Sequence, residues 1–314
     1  MTTVSDGLFQ FGGVPVSSGL GIGPIGTGPR GKEQNVYYVN DDGGSDGDND
    51  GLTPKRPFAT IGQACVAVTA RYTSGNYPWT DYWTRGDLVV IAPGLYEEAL
   101  TAIPAGCSFL GMGNAFGGQN EYSKQNVLWK PTSTSGAITQ SVLFGNNFHN
   151  IRFRSSGAGK LIEVEEIENV YFENCFFQGI TDNTTHAIYI EDSWMYGGMK
   201  HCIISGCKRG LYIDYNVAMT YHTFHTVFID DLTIMDADTV GIFHSTQSQS
   251  TNSYMKNIYI GRPGQSPQLP LGIDDNGVQK CPVANAHIWA DANDPAVAAT
   301  KFSGSYMNGI LITT

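Results

Sequence analysis

The chain has 314 residues, 41% hydrophobic and 15% charged, which suffices for one or two domains around a sizeable core. Eighteen Lys and Arg against 29 Asp and Glu leave a net charge of −11, a sign that repels phosphate backbones and argues against nucleic acid as a partner. No apolar run reaches the ~18 residues of a membrane helix, and the opening Met1-Thr2-Thr3-Val4-Ser5 lacks the basic start of a secretion signal; the expectation is a soluble chain made in the cytoplasm, with no membrane insertion.

Residues 1–35 differ from the rest. Gly or Pro recurs at nearly every second or third position from Gly7 to Gly31, interspersed with Leu8, Phe9, Phe11, Val14, Val16, Leu20, Ile22 and Ile25. Glycine-rich backbone is entropically costly to order and offers no amphipathic face, so these apolar side chains need a foreign surface. The segment is read as an extended anchoring arm. A flexible linker is the plainer alternative, but linkers are usually Gly/Ser-rich rather than studded with Phe and Ile.

Next comes Val36-Tyr37-Tyr38-Val39, a short alternating strand, and then a run of turn formers, Asn40 to Gly51. Phe58, Ile61, Ala64 and Cys65 recur at helical spacing, which predicts a short amphipathic helix within residues 52–65. Asp46, Asp48 and Asp50 alternate as in calcium loops, but the terminal Glu of such a loop is missing, and turn formation is the favoured role.

The stretch from Val36 to Ala64, with Asp50-Gly51-Leu52-Thr53-Pro54 and Pro57-Phe58-Ala59-Thr60-Ile61, resembles the opening segment of right-handed parallel β-helix proteins of the pectin-lyase-like class, as in bacteriophage tail spikes and related virion proteins. The resemblance implies a strand and a capping helix, within residues 36–70, that close the first coil. It also implies a virion location and a parallel homotrimer.

Beyond residue 70 the pattern is that of a solenoid. Leu161-Ile162-Glu163-Val164, Ala187-Ile188-Tyr189-Ile190, Gly210-Leu211-Tyr212-Ile213 and Val240-Gly241-Ile242-Phe243 alternate at period two, and Asn or Gly punctuates the corners. A second series of short strands follows each of them, at a drifting repeat of roughly 19 to 31 residues. An antiparallel sandwich would need tight Asn-Gly or Asp-Gly hairpins between consecutive strands, and these are few after residue 51. The fold class expected is therefore all-β: a right-handed single-stranded parallel β-helix over residues 36–314, with an extended Gly-rich N-terminal arm and a short capping helix. The C-terminal piece, residues 305–313, reads as one more strand whose open edge needs a lid, from a partner chain if not from this one.

Connections between strands lengthen along the chain, through residues 192–198, 215–225 and 245–254, and are expected to project from one side as a lateral surface. They carry Trp194, Tyr196, Tyr215, Tyr221, His222, Phe224, His225 and Tyr254. Rings beside hydroxyls and carboxylates suit carbohydrate, and aromatics are equally enriched where subunits pack, so glycan contact and subunit association both stand. His222 and His225 lack a third metal ligand and are read as structural.

Outward positions Glu165, Glu191 and Asp214, flanked by Tyr189 and Tyr212, form a carboxylate column at separations that bracket those of glycoside hydrolysis, although solvent-facing acids on strands are commonly just solubilising. Six cysteines at 65, 107, 175, 202, 207 and 281 have no zinc-like spacing and are read as buried and reduced. No cofactor motif is present and no metal site is read. Together these features suggest a structural bacteriophage virion protein, of tail-spike or head-decoration type, anchored to other virion proteins by its arm and touching host surface polysaccharide. The alternative is a capsule or lipopolysaccharide depolymerase; a non-viral glycan-binding solenoid is a third reading.

Overall fold

Period-two alternation becomes, in three dimensions, columns of side chains stacked along an axis. The computed structural model describes residues 8–11, 14–17, 35–74, 86–116, 125–132, 136–157, 159–180, 184–214, 224–245, 250–261, 271–275, 281–288, 306–307 and 310–311. Among them, 19 strands join through parallel pairings into one continuous ladder wound as a β-helix, right-handed as parallel crossovers almost always are.

Three faces result. The first runs from Val36–Val39 through Leu88–Ile91, Ser108–Gly111, Asn147–His149 and Tyr171–Glu173 into the later long strands. Its inward row is Tyr37, Val89, Phe109, Phe148, Phe172, Met199, Ile229, Met255 and Val283, each over the last. The second face carries Tyr96, Trp129, Phe153, Phe177, Ile204, Ile234 and Ile260 inward. The third, built on Ile138–Phe144, Gly159–Glu168, Thr184–Ser205, Arg209–Ile213, Val240–His244 and Leu271–Asp275, turns in Ile138, Ile162, Ile188, Leu211, Ile242 and Ile273.

Stacking is what makes these strands stable, because a lone coil has two open edges and a bare apolar interior. Rings on successive coils lie nearly parallel: Phe109 and Phe148 at 5.1 Å, Phe148 and Phe172 at 5.2 Å, Phe153 and Phe177 at 5.3 Å. Each buried ring or aliphatic side chain contributes roughly 1.5–3 kcal/mol relative to exposure. The core is aromatic in its first half and dominated by isoleucine in its second, and all six cysteines are free and buried.

Corners take left-handed backbone at the same register on successive coils. Asn150, Asn174, His201, Asp231, Asn257 and Asn285 form one corner column, and Gly145, Asn169, Tyr196, Thr226 and Asn252 another. Asn and Asp tolerate this conformation because a short polar side chain bonds locally. Asn285 Nδ2 donates to Asn257 Oδ1 at 2.6 Å, so amides also tie coil to coil.

The cap helix spans Ile61–Ser74, later and longer than the sequence spacing predicts. The reason is local. Phe58 bridges to Val39, and both oxygens of Asp46 are engaged by the backbone N–H groups of Ala59 and Thr60 and by the Thr60 hydroxyl, which holds residues up to Thr60 out of the helix. Thr60 Oγ1 then accepts from the Gln63 N–H as an N-cap, and Glu98 takes the N–H groups of Ile61 and Gly62 at 2.8 and 2.6 Å. Ile61, Ala64, Cys65 and Val68 make the buried stripe that closes the first coil.

Two corrections concern the ends. Within the supposed extended arm, Leu8–Phe11 and Val14–Ser17 pair antiparallel, with only Gly12 and Gly13 between them in sequence, a two-residue connection suited to glycine. At the other end, Tyr306–Met307 and Ile310–Leu311 pair antiparallel, and the first of these lies against Val283–Ile288. The C-terminal residues thus supply a two-stranded element beside the last coil rather than one further rung.

Candidate functional site

Because Ile162, Ile188, Leu211 and Ile242 point inward, their successors Glu163, Tyr189, Tyr212 and Phe243 form one outward row on the third face. Tyr189 and Tyr212 stack at 5.8 Å with planes 12° apart, and Tyr212 and Phe243 at 4.2 Å and 9°. Half-buried rings in register give a ribbed apolar strip along the axis.

Charged groups flank the strip on both sides. Lys160 Nζ lies 3.4 Å from the Tyr189 ring centroid and 2.7 Å from Glu163 Oε1; the Arg209 guanidinium stands 4.8 Å from the Tyr212 centroid. On the opposite flank Glu191 and Asp214 point outward, and the Tyr189 hydroxyl donates to Asp214 Oδ2 at 3.3 Å. Burial holds the Tyr189 hydroxyl above its ordinary range, and the charges of Asp214 and Glu191 add to it.

His186 sits between these groups, buried, with its ring edge-on to Tyr189 at 5.1 Å and to Tyr212 at 4.7 Å. Arg209 Nη1 lies 3.1 Å from His186 Nε2; a guanidinium only donates, so Nε2 accepts and the proton resides on Nδ1, directed at Thr185 Oγ1 3.1 Å away. Desolvation first, then the Arg209 and Lys160 charges, pull the imidazole down to about 3. The ring is neutral across the physiological range and acts as a fixed spacer.

Glu165 is exposed at a register shift between Val164 and Glu166, and its charge adds to desolvation in raising Asp192 on the next coil. The three acids read from the sequence thus share one flank of one face, with Asp192 as a fourth member. A strict period-two reading hides Asp192 and His186, because the shifts opposite Gly159/Lys160 and Val164/Glu166 each insert one residue into Thr184–Ser205 and change its parity against Gly159–Glu168. Phe243 is an outward neighbour that the row of alternating strands already implied, whereas Lys160 shares the parity of inward Ile162 and was not legible.

The expected aromatic loop surface is largely corrected. Residues 192–198 are the middle of the 22-residue strand Thr184–Ser205, and Trp194, like Phe224, is fully buried in the inward column above Ile167. Phe172, Trp194 and Phe224 meet edge-to-face at 6.2 Å. An apolar ring next to a corner is drawn inward by the core, and nothing in its immediate neighbours distinguishes it from an exposed one.

Tyr196, 46% exposed, and His225 meet at 5.2 Å on the corner between the third and first faces, while Tyr254, 39% exposed, packs on Phe228 at 4.8 Å. These three lie apart from the Tyr189–Tyr212–Phe243 strip. Tyr215, Tyr221 and His222 lie outside the described residues, as do Leu20, Ile22 and Ile25 of the arm; Leu8, Phe9, Phe11, Val14 and Val16 fall in the N-terminal strand pair. Among the described residues, no group of three His, Cys, Asp or Glu side chains is arranged to hold a metal ion.

Comparison with known proteins finds similarity of shape alone. A pectin methylesterase from Aspergillus niger matches with 16% identity and a TM-score of 0.49 over 88% of this chain and 82% of its own. Pectin methylesterase PemA from Erwinia chrysanthemi matches with 14% identity and a TM-score of 0.45 over 90% of this chain and 92% of its own. No family profile and no curated protein sequence matches.

The outward edges of the stacked rings form an apolar rim able to meet the CH groups of a ligand, and the flanking carboxylates, hydroxyl and cations can orient its polar groups.

Proposed function

We propose that the protein is a bacteriophage virion β-helix of the tail-spike or head-decoration kind that holds an extended host surface glycan along its third outer face. The observation that carries the glycan part is the register-stacked outward row Tyr189, Tyr212 and Phe243, edged by Asp214 and Glu191. A repeating polymer suits a repeating surface, since each coil advances ~4.8 Å and offers another ring.

The virion part is supported by the likeness of residues 36–64 to the opening segment of phage spikes and by the apolar composition of residues 1–35. A parallel homotrimer belongs to the same reading. Binding of purified protein to a panel of bacterial surface glycans tests the first part, and loss of binding across the panel would refute it. Release of reducing ends or unsaturated sugars from a bound glycan would shift the reading to the depolymerase, with Glu165, Glu191 and Asp214 as its acids. Deletion of residues 1–35 tests the second part: the body should fold yet no longer join particles, and undiminished incorporation would overturn it.

A further inference from the structure

We infer that the glycan taken by the third face carries free amino groups and that polyuronates are rejected. The inference rests on the glycan-binding reading above and names the class of sugar. Two cations border the strip, and both are engaged within the protein: Lys160 by Glu163 at 2.7 Å and by the Tyr189 ring, Arg209 by His186 at 3.1 Å and by the Tyr212 ring. A uronate would have to displace one of these contacts to find a counter-charge.

The acids are placed differently. Among the described residues, Glu165 and Glu191 meet no cation within ion-pair distance, and Asp214 accepts only the neutral hydroxyl of Tyr189. With the chain at −11 overall, the flank carries an uncompensated negative potential. Within the chain, Lys160 shows an ammonium held between a ring and an acid, lying against Tyr189 with Glu163 at 2.7 Å; Asp214, two residues from Tyr212, has no such cation among the described residues. An amino sugar can lie along the outward edges of the stacked rings and set its ammonium on the acid flank.

Calorimetry with three oligomers of one length tests this: a fully deacetylated chitosan oligomer at a pH where its amines are charged, its N-acetylated counterpart, and an oligogalacturonate. The deacetylated oligomer should bind about tenfold or more tighter than the acetylated one, the size of one added charge-assisted contact, with binding that weakens as salt rises. The oligogalacturonate should not bind measurably. In the Asp214→Asn/Glu191→Gln double variant the two chitosan oligomers should bind alike, and Glu191→Gln alone should narrow the gap between them, with melting curves confirming the fold of both. Equal or tighter binding of the acetylated or uronate oligomer by the unaltered protein would overturn the inference and leave the face a glycan site. Failure of all three oligomers would overturn it too, and the glycan reading then falls only if the panel of bacterial surface glycans also fails to bind.

Discussion

The first and third faces are built from the same coils yet use their outward positions in opposite ways. On the first face, successive coils present His149, Glu173, Lys200, Asp230 and Lys256, alternating in sign along the axis from Glu173 onward. Lys256 lies 2.9 Å from Asp230, so there charge is met by charge within the chain, while desolvation holds His149, 3.6 Å from Glu173, below its ordinary range. Desolvation would raise Asp230, but bonds from Lys256 and Asn257 outweigh it and hold the carboxyl below its usual range. On the third face the corresponding row is aromatic and its acid flank lacks counter-ions among the described residues. A face that satisfies itself stabilises the rod, whereas a face that leaves acids and rings to solvent is shaped for something else.

The largest effect should come from removing what the two faces share. Phe172 lies in the inward row of the first face, stacks on Phe148 and touches Trp194 beneath the third. Phe172→Ala should cost about 3–5 kcal/mol in chemical denaturation and reduce glycan binding with it. Independent behaviour of the two faces in that variant would break the shared-core argument.

Acid should affect the third face through His186. Its folded value of about 3 lies below the ordinary ~6.5 of an unfolded histidine, so the unfolded chain binds the extra proton between these limits. Stability is therefore complete above pH ~6.5 and falls as pH drops toward 3, by a total on the order of 2 kcal/mol or more. His186→Asn, whose amide oxygen can still accept from Arg209, should show a shallower decline of melting temperature between pH ~6.5 and ~4; an unchanged slope would contradict a neutral imidazole.

Binding should then separate the faces directly. Tyr212→Ala removes the ring stacked between Tyr189 and Phe243 and should weaken glycan affinity about tenfold, roughly 1–1.5 kcal/mol. Lys200→Ala, on the first face, should leave affinity unchanged. Equal losses from the two would erase the distinction.

The smallest effect concerns the corner between these faces. Thr226 is β-branched and holds φ +53°, where its column has Gly or Asn on three other coils. Thr226→Asn should stabilise by about 0.5–1 kcal/mol in thermal melts without altering either face, and a loss of stability would show that the Thr methyl packs better than the corner strains it.

Much of this was legible in the chain. Alternation at Ile162, Ile188, Leu211 and Ile242 marks an inward column, recurrent Asn marks the corners, and the Asp-rich segment ahead of Phe58 and Ile61 marks the cap, since each is a local consequence of strand pleat, left-handed backbone or helix spacing. Glu191 and Asp214 were likewise visible as outward acids. Trp194 and Phe224 were expected on the projecting surface and lie in the core, because whether a ring beside a corner turns in or out depends on the column it joins.

The sequence alone sets the period, the corners and the cap, because those follow from each residue and its near neighbours. Folding in space brings His186 to Arg209 and Tyr189 to Asp214, partners separated by 23 and 25 positions. Which residues meet across coils depends on the length of every intervening turn and on register shifts that reverse the parity of a strand, and those are fixed only when one coil settles on the next.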